Sequence, residues 1–169
     1  TRDIAGKINH TYSKILTIPE AIIKSEISVP GNDGRKMSKS YNNIIPFLSS
    51  EKALEKSIGK IITNSLEPGE PKDHKTCNLF QLYSFFASAQ EISNMKQSYK
   101  DGIGWGDVKK DLFTAINNEI IPIREKYNEL KDKPDLLNDL FSDGARKVRP
   151  QAQELIDKLR EAVGISKIV

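Results

Sequence analysis

The sequence predicts a mainly α protein, with a small piece of an α/β layer in residues 1–48 and a helical bundle from about Ser49 to the end. Three observations carry this. Apolar residues recur at helical spacing through most of the chain after Ser49, which marks one buried face per segment. A single short apolar stretch, Ile15-Leu16-Thr17-Ile18, has the look of a strand and is interrupted by Pro19. Between the two parts, Pro30-Gly31-Asn32-Asp33-Gly34 is built of residues that turn the chain.

Taken in order, Arg2 to Ser13 reads as the end of a helix with Ile4, Ile8 and Tyr12 on one stripe, and strand content ends near Ile23. Ser25 to Ser40 reads as a loop. Leu54, Ile58, Ile61 and Ile62 stand at i, i+4, i+7 and i+8, and Leu79, Leu82, Tyr83 and Phe86 at i, i+3, i+4 and i+7, so each set predicts an amphipathic helix. Glu67-Pro68-Gly69-Glu70-Pro71 separates them. Ile92, Met95 and Tyr99 predict a further helix that stops at Asp101-Gly102. Asp107 is then placed to cap a long helix whose inner face carries Val108, Leu112, Ile116, Ile120, Tyr127 and Leu130, with a kink at Pro122. Leu136, Leu137, Leu140 and Phe141 predict a short helix ending at Ser142-Asp143-Gly144. Pro150 opens a last helix lined by Leu155, Ile156, Leu159 and Val163 and closed by Gly164.

Composition bounds the chemistry. With 169 residues and 37% hydrophobic content the chain can bury a core. Its formal net charge of +3 is too small to demonstrate a polyanionic partner. The single cysteine, Cys77, excludes an intramolecular disulfide and fits a reducing cytoplasm. No apolar run is long enough to span a membrane, and the N-terminus carries no apolar signal core; the chain opens on Thr1 in helix-like text, which reads as the continuation of a longer protein.

The informative cluster lies in the loop: Gly31-Asn32-Asp33-Gly34-Arg35-Lys36-Met37-Ser38-Lys39-Ser40-Tyr41-Asn42-Asn43. Two lysines separated by two residues, flanked by hydroxyls and set beside glycines, can bring two ammonium groups and several donors around one phosphate. Glycines and charges that make few apolar contacts also predict a mobile segment from Gly31 to Ser40. A Walker loop would share Lys39-Ser40 but needs glycine where Ser38 stands. Trp105, between two glycines, reads as an aromatic anchoring a turn, His10 as structural, and Phe80, Tyr83, Phe85 and Phe86 as core. Arg146, Lys147 and Arg149 form the densest basic cluster of the bundle, suited to RNA phosphates or to a solvated helix face.

Lys36-Met37-Ser38-Lys39-Ser40 is the KMSKS signature of class I aminoacyl-tRNA synthetases, and five fixed letters arise by chance in a chain of this size roughly once in ten thousand. The flanks Asp33-Gly34-Arg35 and Tyr41-Asn42-Asn43, together with Gly69-Glu70-Pro71-Lys72-Asp73, Cys77-Asn78-Leu79-Phe80 and Gly104-Trp105-Gly106-Asp107-Val108-Lys109, resemble those of bacterial-type tryptophanyl-tRNA synthetases more than those of the tyrosyl enzymes.

The resemblance implies that residues 1–48 are the C-terminal edge of a Rossmann-like catalytic domain including the KMSKS loop, and residues 49–169 a helical tRNA (anticodon)-binding domain. It implies ATP and tryptophan as substrates, Mg2+ at the phosphates, tRNA(Trp) as partner, a cytoplasmic homodimer, and nucleotide contacts at Lys36, Met37, Ser38, Lys39 and Ser40. Lys36 and Lys39 would be catalytic, Ser38 and Ser40 would add hydrogen bonds, and Met37 would pack inward. No protein-held metal is implied. The HIGH-type signature of the class is absent, since the only histidines are His10 and His74, so the chain alone is expected to be inactive. A non-catalytic helical RNA-binding module is the alternative from a different functional class.

Overall fold

The computed structural model describes residues 1–22 and 28–165, and the expected end of strand content near Ile23 and the first residues of the loop lie outside them. Six α-helices are formed by the described residues: α1 Arg2–Thr11, α2 Glu51–Gly59, α3 Asn78–Tyr83, α4 Ala89–Lys100, α5 Trp105–Lys131 and α6 Pro134–Ala162, with a short 3-10 turn at Lys39–Tyr41. The chain divides into two compact units, Ile27–Lys131 and Thr1–Glu26 with Asp132–Val169.

In the larger unit, the helices follow the apolar spacing. Ser50 caps α2 by accepting the Ala53 amide, and Leu54 and Ile58 turn inward one helical turn apart. The helix ends at Gly59 and Ile61 is still buried, but Ile62, expected on the same face, is exposed. Its amide leaves the helical pattern to bond the Asn32 carbonyl at 3.0 Å. In α3, Leu79, Phe80, Leu82 and Tyr83 are all buried, while Phe85, expected in the core, is 42% exposed just past the helix end.

A full capping box starts α4: the Ser88 hydroxyl accepts from Glu91 N, and the Glu91 carboxylate accepts from Ser88 N. The Ser88 hydroxyl also donates to the Glu91 carboxylate at 2.6 Å, and this bond, with the one from Ser88 N, holds the Glu91 carboxyl below its ordinary pKa. Met95 and Tyr99 then face the core. The Tyr99 phenol lies 3.3 Å from Cys77 Sγ, and burial pushes its pKa far above the ordinary phenol value, so it stays neutral.

α5 packs against α2 and α3 through Val108, Leu112 and Ile116, all fully buried. It starts two residues earlier than its expected cap, so Asp107 sits inside the first turn, where a carboxylate still favours the helix dipole. Further along, the apolar face gives way to a polar tie. Arg124 Nη1 donates to Asn117 Oδ1, and Asn117 Nδ2 donates to Glu51 of α2. Tyr127 beyond it is exposed.

The smaller unit departs further from the pattern. Ile15 and Leu16 form no strand, and none is assigned among the described residues, where the sole β contact is an isolated bridge between Pro30 and Lys36. The reason is local: the Asn9 side chain accepts from the Ile15 and Leu16 amides at 3.0 and 2.8 Å and donates to the Leu16 carbonyl at 2.6 Å, taking groups a strand would offer to a neighbour. In α1 only Ala5 is buried, so the stripe of Ile4 and Tyr12 meets water.

The two expected helices after Leu136 are one. α6 runs for 29 residues through both Gly144 and Pro150, and it is Pro134, in the first turn, that opens it. Internal glycine and proline cost about 1 and about 3 kcal/mol relative to alanine, which a long helix of otherwise good formers absorbs.

Core truncation in the larger unit tests this account. Leu112→Ala is expected to destabilise by about 3 kcal/mol, lowering the urea midpoint, whereas Leu140→Ala on half-exposed α6 changes it by well under about 1 kcal/mol. Equal shifts would contradict the placement of the core.

Candidate phosphate-binding loop

The signature is the far limb of a tight, hydrogen-bonded turn. Met37 N donates to the Val29 carbonyl at 2.8 Å and Gly31 N to the Arg35 carbonyl at 2.7 Å, so residues 29–31 and 35–37 run antiparallel. Two glycines of this segment serve its geometry. Gly34 adopts φ +81°, a left-handed conformation that a side chain would strain. Gly31 has no room for a side chain, because a Cβ there would come within 2.5 Å of the Asn43 carboxamide. The segment expected to be mobile forms a hydrogen-bonded turn in this structure.

Asn43 closes the turn from inside and is 1% exposed. Its Oδ1 accepts from Ser38 N at 2.8 Å, and its Nδ2 donates to Asp33 Oδ1 at 2.7 Å and to the Lys36 carbonyl at 3.2 Å. Met37 packs against the hydrophobic core of the larger unit, matching its expected inward direction. Ser38 caps the 3-10 turn, with its hydroxyl accepting from Ser40 N at 3.2 Å, and Asn42, at φ 52°, returns the chain to Asn43. Two further ties anchor the loop within the same unit: Ile62 N to the Asn32 carbonyl, and Gln81 Nε2 to the Ser28 carbonyl.

The three cations of the loop are treated differently. Arg35 forms an ion pair with Asp33 at 2.6 Å and lies over the Tyr41 ring at 4.5 Å. Lys36 and Lys39 are exposed, and neither ammonium has an ion-pair or hydrogen-bond partner among the described residues. Positive charge that is not internally neutralised therefore belongs to the two lysines. Among the described residues no group of three His, Cys, Asp or Glu side chains is placed to hold a metal ion.

Other expectations resolve plainly. Trp105 anchors the start of α5: its Nε1 donates to Asn64 Oδ1 at 3.1 Å and its ring meets Tyr99 edge-on at 5.9 Å. His10 is exposed on α1. Arg146, Lys147 and Arg149 are exposed on α6, with Arg146 paired to Asp143 at 3.2 Å. Two structural residues escaped sequence reasoning, Asn43 and Lys72. The Lys72 ammonium is buried against the Glu67 and Glu70 carbonyls at 2.8 and 3.0 Å and above the Trp105 ring. No periodicity marks either residue; Asn43 next to a turn and Lys72 within the Gly69 to Asp73 text were the available signals. A cleft of about 570 Å³ beside Trp105 is lined by Asn64, Asp73, Thr76 and Asn78 among others.

Residues 1–120 match the family described as tRNA synthetases class I (W and Y), and the chain belongs to that family. Within it, the chain is 44% identical over 165 residues to the tryptophan–tRNA ligase of Neisseria meningitidis, covering 97% of this chain and 49% of that protein. It is 43% identical over 171 residues to the tryptophan–tRNA ligase of Pseudomonas aeruginosa, covering 99% of this chain and 38% of that protein. The chain thus spans half or less of the length of these relatives. The crystal structure of tryptophanyl-tRNA synthetase from Campylobacter jejuni complexed with ADP and tryptophan superposes with a TM-score of 0.81 at 42% identity, over 96% of this chain and 52% of that one.

Acid should loosen the turn. The hydrogen bond from Asn43 is the largest influence on the Asp33 carboxyl; desolvation, the next largest, opposes it, and the hydrogen bonds and charge of Arg35 add to Asn43's effect, so the group is held below its ordinary value of 3.8. A lowered folded-state pKa contributes stability above the ordinary value that is lost as pH falls through the folded one. Hydrogen-exchange protection of the Arg35 amide, which Asp33 accepts at 3.0 Å, is expected to be flat down to about pH 4 and to fall below it. Asp33→Asn should abolish that drop; an unchanged drop would assign it elsewhere.

Proposed function

We propose that this chain is the C-terminal part of a tryptophan–tRNA ligase, in which tryptophan's carboxylate attacks the α-phosphate of ATP, pyrophosphate leaves, and the adenylate is passed to the terminal ribose of tRNA(Trp). The observation that carries the reading is the unpaired state of Lys36 and Lys39 beside a neutralised Arg35. Negative charge accumulates on pyrophosphate as its bond to the α-phosphorus breaks. Two ammonium groups on a hydrogen-bonded loop stabilise that charge without first releasing an internal partner. Ser38 and Ser40 add hydroxyl groups to the same surface, and Met37 fixes the loop to the core.

In this reading residues 1–48 form the edge of a Rossmann-like catalytic domain and residues 49–169 the helical part that binds tRNA, in a cytoplasmic homodimer. The ADP and tryptophan of the Campylobacter structure support nucleotide and amino-acid binding by the whole protein. Mg2+ would lower the charge of the phosphates. The described residues do not offer it an acidic or imidazole cluster, so the chain's own share of the neutralisation falls to the lysines. No described helix is long and apolar enough to cross a membrane.

The test is single-turnover adenylate formation in the full-length protein at saturating tryptophan and ATP. Lys39→Ala is expected to slow it on the order of a hundredfold with the tryptophan dissociation constant unchanged, and Lys36→Ala to act in the same direction. A change confined to tryptophan affinity, or wild-type rates in both variants, would refute the assignment.

A further inference from the structure

Lys36 and Lys39 can act together only if the backbone between them has one shape, and neither side chain determines that shape itself. What does is a side chain outside the pentapeptide. The Asn43 carboxamide bonds the chain on both sides of Met37, taking the Lys36 carbonyl through Nδ2 at 3.2 Å and the Ser38 amide through Oδ1 at 2.8 Å. Ser38 in turn caps the turn in which Lys39 is the first residue.

We infer that Asn43 is the positioning residue of the lysine pair, its buried carboxamide setting the backbone from Lys36 to Ser38 and thereby where the two ammonium groups meet the nucleotide's phosphates. The inference rests on the nucleotide reading above. Its physical basis is the lack of any substitute. At 1% exposure water cannot replace the carboxamide, and its two ends have opposite duties. Oδ1 must accept, whereas Nδ2 faces only acceptors: Asp33 Oδ1 at 2.7 Å, the Lys36 carbonyl, and the Arg35 carbonyl at 3.4 Å. Aspartate keeps the shape but turns an oxygen toward those three acceptors. Alanine leaves the Ser38 amide without its bond. The absence of a side chain at Gly31 makes room for this group, since a Cβ there would lie 2.5 Å from Asn43 Cγ.

The experiment is a double-mutant cycle in the full-length protein, read by single-turnover adenylate formation, with the tryptophan dissociation constant and thermal unfolding as controls. Asn43→Ala is expected to slow adenylate formation on the order of tens to a hundredfold while tryptophan affinity stays at the wild-type value. In the Lys39→Ala background the same substitution should cost only a few-fold, because the group it positions is gone. Asn43→Asp, which preserves volume, serves where the alanine variant does not fold and should show the same non-additivity. A wild-type rate for a folded Asn43 variant would overturn the inference, as would an equal slowing with and without Lys39. Wild-type rates in both Lys36→Ala and Lys39→Ala would instead overturn the nucleotide reading on which it rests.

Discussion

Removing an amide side chain from water costs several times what a single hydrogen bond returns, unless each of its polar ends finds a partner. For Asn43 that requirement is met only when Asp33, Lys36 and Ser38 converge on it, so satisfying one buried carboxamide dictates the path of the loop around it. The rest of the loop follows. Asp33, held by Asn43, is then placed to pair with Arg35, and Arg35 to lie on Tyr41. Met37 is left to face the core and the two lysines to face water. The helical unit contributes the other boundary, through the Ile62 amide on Asn32 and the Gln81 amide on Ser28.

The legible parts of this protein are those where one interaction type dominates. Leu54 and Ile58, Leu79 and Leu82, and Val108, Leu112 and Ile116 are apolar at helical spacing and are buried as that spacing predicts. The pentapeptide was legible as a string of letters before it was a structure. The misread elements are those where a local polar competitor or a weak stop signal decided the outcome. Ile15 and Leu16 have strand-like composition, but Asn9 takes their backbone groups. Gly144 and Pro150 look like a helix end and a helix start, yet each is a penalty of bounded size inside a continuous α6. For Gly31 and Gly34, composition reports permissiveness and cannot show whether a glycine is used for motion, for a positive φ, or for room beside a neighbour; the structure shows the last two uses.

Lysine illustrates why type and spacing alone could not rank the candidates. Lys72 is surrounded by carbonyls and an aromatic face, so its charge is spent on holding the Glu67 to Glu70 turn against α5. Lys36 and Lys39 have no such contacts among the described residues and remain hydrated. In open water each is worth little to a passing anion, because high dielectric and salt screen the attraction. The same two charges gain strength when the remainder of a binding site covers them and excludes solvent. A loop of fixed backbone carrying unpaired lysines is therefore weak as a phosphate binder by itself and strong as one wall of a closed site. In the proposed role, Lys36 and Lys39 therefore depend on the covering wall as firmly as on their own positions.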